Sequence, residues 1–217
     1  MLVLPENSLD IVLDKQKFGR IFTFVDFGNV NYWYERDERD GEKRELLNGE
    51  KLVIDVEKLA GFIKLFSGHS RFYFGLDPKQ KKSIAIIAKA RKLFDKAVTK
   101  PIQKIKHYLF DGENVKKGWE SNFDRGGKFV YLPKCNFDVE ICVDAIRLVN
   151  NYDTFCLFSS DSDFASLTDY LRRSCHKKVI LFSSGYVSYW LKNKIDININ
   201  SQTIKKQITF KKIKPRL

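Results

Sequence analysis

Carboxylates at four places in this 217-residue chain stand where they could act together. Asp26 closes a short apolar run, RIFTFVD (20–26), and is followed by Phe27, Gly28 and Asn29. Asp138 opens the segment FDVEICVDAIRLV (137–149), and Asp161 and Asp163 stand one residue apart in SSDSDF (159–164). Like charges this close raise each other's pKa, and a cation between them is the simplest compensation. Oxygen donors with no Cys or His beside Asp161 and Asp163 favour Mg²⁺ or Mn²⁺. An ion held this way activates water and steadies charge on a phosphate. An Asp at a helix start has a plainer use as an N-cap, which applies to Asp138 and Asp163. It applies less to an acid that ends a buried strand. Asp144, six residues after Asp138, lies about 120° around the same helix. It could sit at the rim of the site or join a surface ladder with Glu140 and Arg147.

These acids need elements to position them. Strand-like runs rich in β-branched and aromatic residues fall at 20–26, 70–76, 102–110, 128–132, 154–159 and 177–183, with a further short one at 195–199. Helical spacing is found at 55–67, with Asp55 as its N-cap, and at 137–149, 162–174 and 186–193. A lysine-rich helix is expected over 79–99, with Ile84, Ile87 and Ala88 facing inward and Pro101 ending it. The stretch 35–50 has eleven charged residues and reads as an exposed loop or short helix. Strands alternating with helices predict an α/β fold, a mainly parallel sheet between two helical layers. Sites in such folds form at the carboxyl ends of the strands, where all the acids fall.

Composition sets the outer bounds. Apolar residues make up 43% and aromatics 14%, too rich for a disordered chain. No apolar run reaches the ~18 residues of a membrane span, and the first residues, MLVLPENSLD, do not read as a signal peptide. Cys135, Cys142, Cys156 and Cys175 form no CxxC pair, so neither a zinc site nor a disulfide framework is expected, and the reduced thiols suit the cytoplasm. The net charge of +12 is concentrated. Residues 79–106 carry ten Lys or Arg against one acid, and residues 203–217 carry six and none. Clustered cations of this kind suit a polyanion partner. The tail's mixed apolar and basic pattern also allows a late strand or an interfacial segment.

Three blocks carry a resemblance. FVDFGNVNYW (24–33), KCNFDVEICVDAIRL (134–148) and FSSDSDFASLTDYLR (158–172) resemble the signature motifs of the NYN (LabA-like) branch of PIN-domain nucleases. The matching positions are Asp26 and Asn29, then Lys134, Asp138 and Asp144, then Asp161, Ser162, Asp163 and Phe164. Cys135 and Ser160 stand where the family commonly has glycine. The resemblance runs over about residues 20–200, between an N-terminal extension (1–19) and a basic C-terminal tail (201–217).

The resemblance implies a PIN-like three-layer αβα sandwich and a metal-dependent ribonuclease. Asp26, Asp138, Asp161 and Asp163, with Asp144 as a further rim ligand, would hold Mg²⁺ or Mn²⁺. Asn29 would orient a carboxylate, a water or the phosphate, and Lys134 would balance charge at the rim. The basic helix, with Lys81, Lys82 and Lys89, and the tail lie outside the family motifs, and their charge would hold the phosphate backbone of RNA. Tyr32, Trp33 and Tyr34, and Trp119 further on, are candidates for stacking on unpaired bases, with packing as the alternative. Single-stranded or loop RNA is the expected substrate, and a homodimer is compatible with the pattern. Three other readings stay open: a catalytically silent RNA-binding or scaffold protein of the same fold, a DNA nuclease, and a phosphatase using Asp26 as nucleophile. The last is disfavoured because Gly28 stands where such phosphatases need a second Asp.

Overall fold

A computed structural model describes residues 13, 15–110, 112–113 and 120–213. Trp119, most of the N-terminal extension and residues 214–217 lie outside the described residues. A short helix, α1 (Lys15–Phe18), leads into β1 (Ile21–Asp26), a one-turn helix α2 (Phe27–Val30) and β2 (Glu50–Ile54). Next come α3 (Val56–Lys64), β3 (His69–Leu76), α4 (Lys81–Leu93) and β4 (Lys96–Pro101). Three strands follow: β5 (Gln103–Tyr108), β6 (Asn122–Asp124) and β7 (Gly127–Lys134). The chain continues through α5 (Asp138–Arg147), β8 (Thr154–Phe158), α6 (Ala165–Arg173) and β9 (Lys178–Ser183). It finishes with α7 (Tyr189–Lys192), β10 (Ile197–Asn200), α8 (Lys205–Ile208) and β11 (Thr209–Ile213).

The central sheet has the order β10-β9-β8-β1-β3-β4, and every pairing in it is parallel. Strand periodicity of two sends alternate side chains to opposite faces. Val25, Cys156, Phe158, Ile180 and Phe182 therefore join Leu59 and Ile63 of α3 in one core. Phe24, Phe155, Leu157 and Leu181 join Ile141 of α5 and Leu167 of α6 in the other. This is the expected three-layer αβα sandwich with a mainly parallel sheet. Asp55 caps α3 as expected, its carboxylate accepting the N–H groups of Glu57 and Lys58 at 2.8 and 3.2 Å. Such a cap is worth about 1 kcal/mol.

Strand order reverses at β1. The chain builds outward through β3 and β4 on one side and through β8, β9 and β10 on the other. The two loops leaving β1 and β8 therefore diverge, and a crevice opens at their carboxyl ends.

Three expectations need correction. The basic helix ends at Leu93, and Ile84 and Ala88 face solvent while Ser83, Ile87 and Ala90 are buried. Asp95 breaks the helix by accepting both the N–H and the hydroxyl of Ser70, at 2.7 and 3.0 Å. Residues 96–101 then form an edge strand, where Pro101 and the lysines discourage further pairing. The strand expected at 102–110 is real but belongs to a separate antiparallel sheet, β5-β7-β6. The tail takes the late-strand form that its pattern allows, β11 pairing with β2, and Glu50, the last residue of the stretch expected as a loop or short helix, is the first residue of β2.

That pairing also orders the acidic stretch 35–50. Lys205 pairs with Asp37 at 2.7 Å, Lys206 with Glu42 at 3.1 Å and Lys211 with Asp40 at 2.9 Å. Burial alone would raise the Asp40 carboxyl, but Lys211 and Arg44 hold it well below the usual carboxylate range. Much of the tail's charge is thus spent inside the protein.

Candidate active site

The crevice between β1 and β8 collects the acids. Asp161 follows β8 and caps a 3-10 turn (Ser162–Phe164), its Oδ1 accepting the Asp163 N–H at 3.0 Å. Asp138 is the first residue of α5 rather than its cap, so its carboxylate is free to face the crevice. Asn136 holds it there: Nδ2 donates to Asp138 Oδ2 at 2.7 Å, and the Asp138 N–H donates back to Asn136 Oδ1 at 2.8 Å. Asp138, Asp161 and Asp163 each offer a carboxylate oxygen, all within 4.8 Å of one another. Metal–oxygen distances of ~2.1 Å place the ligands of one Mg²⁺ or Mn²⁺ at most ~4.2 Å apart, so a small closure brings all three onto one ion.

Asp26 stands just outside that cluster. Its Oδ2 accepts the Ser159 hydroxyl at 3.0 Å, and its Oδ1 accepts the Asn29 N–H at a long 3.4 Å. Burial pushes its carboxyl up to about 6, aided by the charges of Asp138 and Asp161. Burial also raises Asp138, and the charges of Asp161 and Asp163 raise it further. Two mutually repelling carboxylates with raised proton affinity are what a cation would relieve.

Asn29 ties the two strand ends together. Its Oδ1 accepts the Ser160 N–H at 3.0 Å and the Trp33 Nε1–H at 2.9 Å. It therefore acts on the geometry of the β8 loop, and its carbonyl oxygen is already engaged. Trp33 is corrected as a stacking residue: it is 8% exposed and lies flat against Phe158. Tyr34 is buried too, its hydroxyl donating to the Ser201 carbonyl at 2.6 Å. Tyr32 alone of this group is exposed.

Asp144 is also corrected. Its carboxylate is 13% exposed and turned toward β3, where Arg71 Nη1 donates at 2.6 Å and the Tyr73 hydroxyl at 2.8 Å. The 120° offset on α5 carries it away from the other acids. The surface ladder fails as well, because Glu140 pairs with Lys100 of β4 at 2.6 Å. That places Lys100 close enough for its charge to act on Asp138. Lys134 ends β7, exposed. Lys81 and Lys82 are exposed in the first turn of α4, and Lys89 is paired with Glu57 at 2.8 Å.

Sequence reasoning missed four features. Ser159, Asn136 and Lys100 gave no signal beyond ordinary polar residues. The fourth is an aromatic group, Tyr186, Tyr189 and Trp190, which are 84%, 72% and 72% exposed. It lies on α7 and the loop before it, and α7 packs against the turn that carries Asp163. Ser160 and Ser184 bond this loop directly to the β8 loop, at 2.8 and 2.9 Å.

A parallel αβα sandwich with carboxylates gathered at its switch point is the arrangement of a PIN-like fold. Residues 20–201 match the NYN domain model, and the chain belongs to that family. A curated relative, the low amplitude and bright protein LabA of Synechococcus elongatus, is 32% identical over 86 residues, 40% of this chain. That match spans 44% of the relative, so the chain accounts for less than half of its length. A crystal structure of a Vibrio parahaemolyticus protein of unknown function superposes with a TM-score of 0.53, covering 91% of this chain and all of the other. At 21% identity the likeness concerns the fold alone. Among the described residues no helix is long and apolar enough to cross a membrane.

Proposed function

We propose that this protein is a metal-dependent ribonuclease that hydrolyses phosphodiester bonds in single-stranded or loop RNA. The observation that carries this reading is the meeting of Asp138, Asp161 and Asp163 within 4.8 Å at the switch point of a nuclease-family sheet. These three would hold Mg²⁺ or Mn²⁺. When bound, such an ion supplies a water of lowered pKa and stabilises charge developing on the scissile phosphate.

The chain's own groups have distinct parts. Asp26 is held at Oδ2 by Ser159 and caps α2 through Oδ1, and it can take up a proton, since its pKa of about 6 lies near neutrality. Asn29 is a positioning residue that fixes the β8 loop against β1. Asn136 aims Asp138. Tyr186, Tyr189 and Trp190 offer exposed ring faces beside the acids, which suits unpaired bases. The cytoplasm, where RNA and reduced thiols coexist, fits the four free cysteines.

Incubating mixed RNA with Mn²⁺ or Mg²⁺ tests the reading, with wild type and Asp161→Asn side by side. Cleavage by the wild type and its loss in the variant is the expected result. Equal behaviour of the two would refute the assignment. Salt-sensitive RNA binding without any metal affinity would favour the silent RNA-binding reading.

A further inference from the structure

Among the described residues, six cations of the two basic segments pair with acids, others stand unpaired along the surface, and two of the unpaired ones gather with Lys51 in one place. Lys211, Lys206, Lys205 and Lys89 each pair with an acid. Lys51 and Lys212, directly opposite each other in the β2–β11 ribbon, have no carboxylate partner among the described residues. Like charges facing across an antiparallel pair cost stability rather than adding it. Lys82, from the first turn of α4, brings a third ammonium to the same place, also without an acid partner among the described residues. Partial desolvation beside the cleft and the charges of Lys51 and Lys212 together lower its proton affinity. Three elements far apart in sequence thus converge to build a charge that the protein itself does not compensate.

The surroundings give this charge a direction. Lys82 and Lys212 line a cleft of about 220 Å³ between α4 and the ribbon, with Phe210 and Ile86. A second cleft, of about 280 Å³, shares Asn31, Lys82 and Ile86 with the first and runs on to Gly28 and Cys135. Those two flank Asp26: a Cβ on Gly28 would lie 3.3 Å from Asp26 Oδ1, and the Asp26 charge acts on the Cys135 thiol. One groove therefore leads from the lysine trio to the edge of the acidic centre.

We infer that Lys51, Lys82 and Lys212 form a phosphate-binding station for the RNA strand that runs along this groove away from the acidic centre. Charge complementarity is the argument: Lys82 and Lys212 in the cleft, with Lys51 paired opposite Lys212 in the ribbon and Asp55 the acid in the cleft lining, leave an excess of positive charge that fits successive or shared backbone phosphates. Such contacts fix the strand's path without reading its sequence. The identity of the strand as RNA rests on the proposed function; the binding itself does not depend on cleavage.

The test uses the full chain, a labelled 12-nucleotide uridine oligomer and a chelator in place of divalent ions. Affinity is measured from low to high salt for wild type, the triple variant Lys51→Gln/Lys82→Gln/Lys212→Gln and the single variant Lys82→Gln. A control, Lys64→Gln/Lys92→Gln, removes exposed charge from the far ends of α3 and α4. The triple variant should lower the slope of log K against log salt by about 2, and the single variant by about 0.7. At 0.1 M salt the triple variant should bind at least about tenfold more weakly, with unchanged or higher Tm. Slopes unchanged in both variants, or lowered equally by the control, overturn the inference. Should the wild type bind in this way yet never cleave RNA with Mn²⁺, the station stands and the nuclease reading falls.

Discussion

The Ser159 hydroxyl donates to Asp26 Oδ2 at 3.0 Å while its oxygen accepts the Asp161 N–H at 3.2 Å. One fully buried side chain thereby links the acids of two neighbouring strands. Ser159→Ala removes the bond that holds Asp26 down and leaves two polar groups without a partner. It should cost about 1–3 kcal/mol of stability in denaturant melts. It should also move the Asp26 titration, followed by carboxyl NMR, upward. A downward move would show that Ser159 does not support the charged form.

Asp26 itself makes stability depend on pH in a definite direction. Its carboxyl titrates near 6 in the fold against 3.8 otherwise, so the folded state holds the proton more tightly. Its contribution is therefore most favourable below about 3.8 and is lost as pH rises toward 6. At pH 8 the ionised group costs up to about 3 kcal/mol. Asp26→Asn should raise the Tm of the metal-free protein at pH 8, with a smaller gain at pH 5 and little at pH 4. A Tm lowered at pH 8 would contradict this account of the site's electrostatics.

Asp144 serves stability rather than chemistry. Asp144→Asn leaves Arg71 confined beside Tyr73 without its counter-charge, which should cost about 3 kcal/mol. Mn²⁺ affinity of the folded fraction, measured by titration calorimetry, should be unchanged. A large fall in affinity at normal stability would restore Asp144 to the metal site.

Two tryptophans should separate cleanly. Trp33→Ala empties a buried place against Phe158 and should cost about 3–5 kcal/mol of stability. Trp190→Ala, at an exposed position, should leave Tm nearly unchanged and weaken binding of single-stranded RNA by about 1–3 kcal/mol. Equal RNA affinity for wild type and Trp190→Ala would remove α7 from the substrate surface.

The sheet and its helices were legible because buried parallel strands read as apolar runs, and their ends located Asp26, Asp138, Asp161 and Asp163. What escaped was set by pairing at a distance. Nothing local in KAVTKP (96–101) says that β3 offers it a free edge. Nothing in the charged stretch before Asp55 says that β11 will pair with β2 and spend tail lysines on its acids. Asp144 and Trp33 misled for a related reason: each sits inside a motif that holds site residues, yet its own side chain turns to a buried partner. Tyr186, Tyr189 and Trp190 were visible as residues, but their exposure depends on α7 being one short turn that buries only Leu191.

The central claim is that Asp138, Asp161 and Asp163 hold a divalent ion. Anomalous diffraction from crystals soaked in Mn²⁺ tests it most directly. The account predicts one strong peak in the crevice between β1 and β8, with oxygens of all three acids at ~2.0–2.2 Å. A peak elsewhere, or none at a concentration that saturates other Mn²⁺-dependent nucleases, would contradict it.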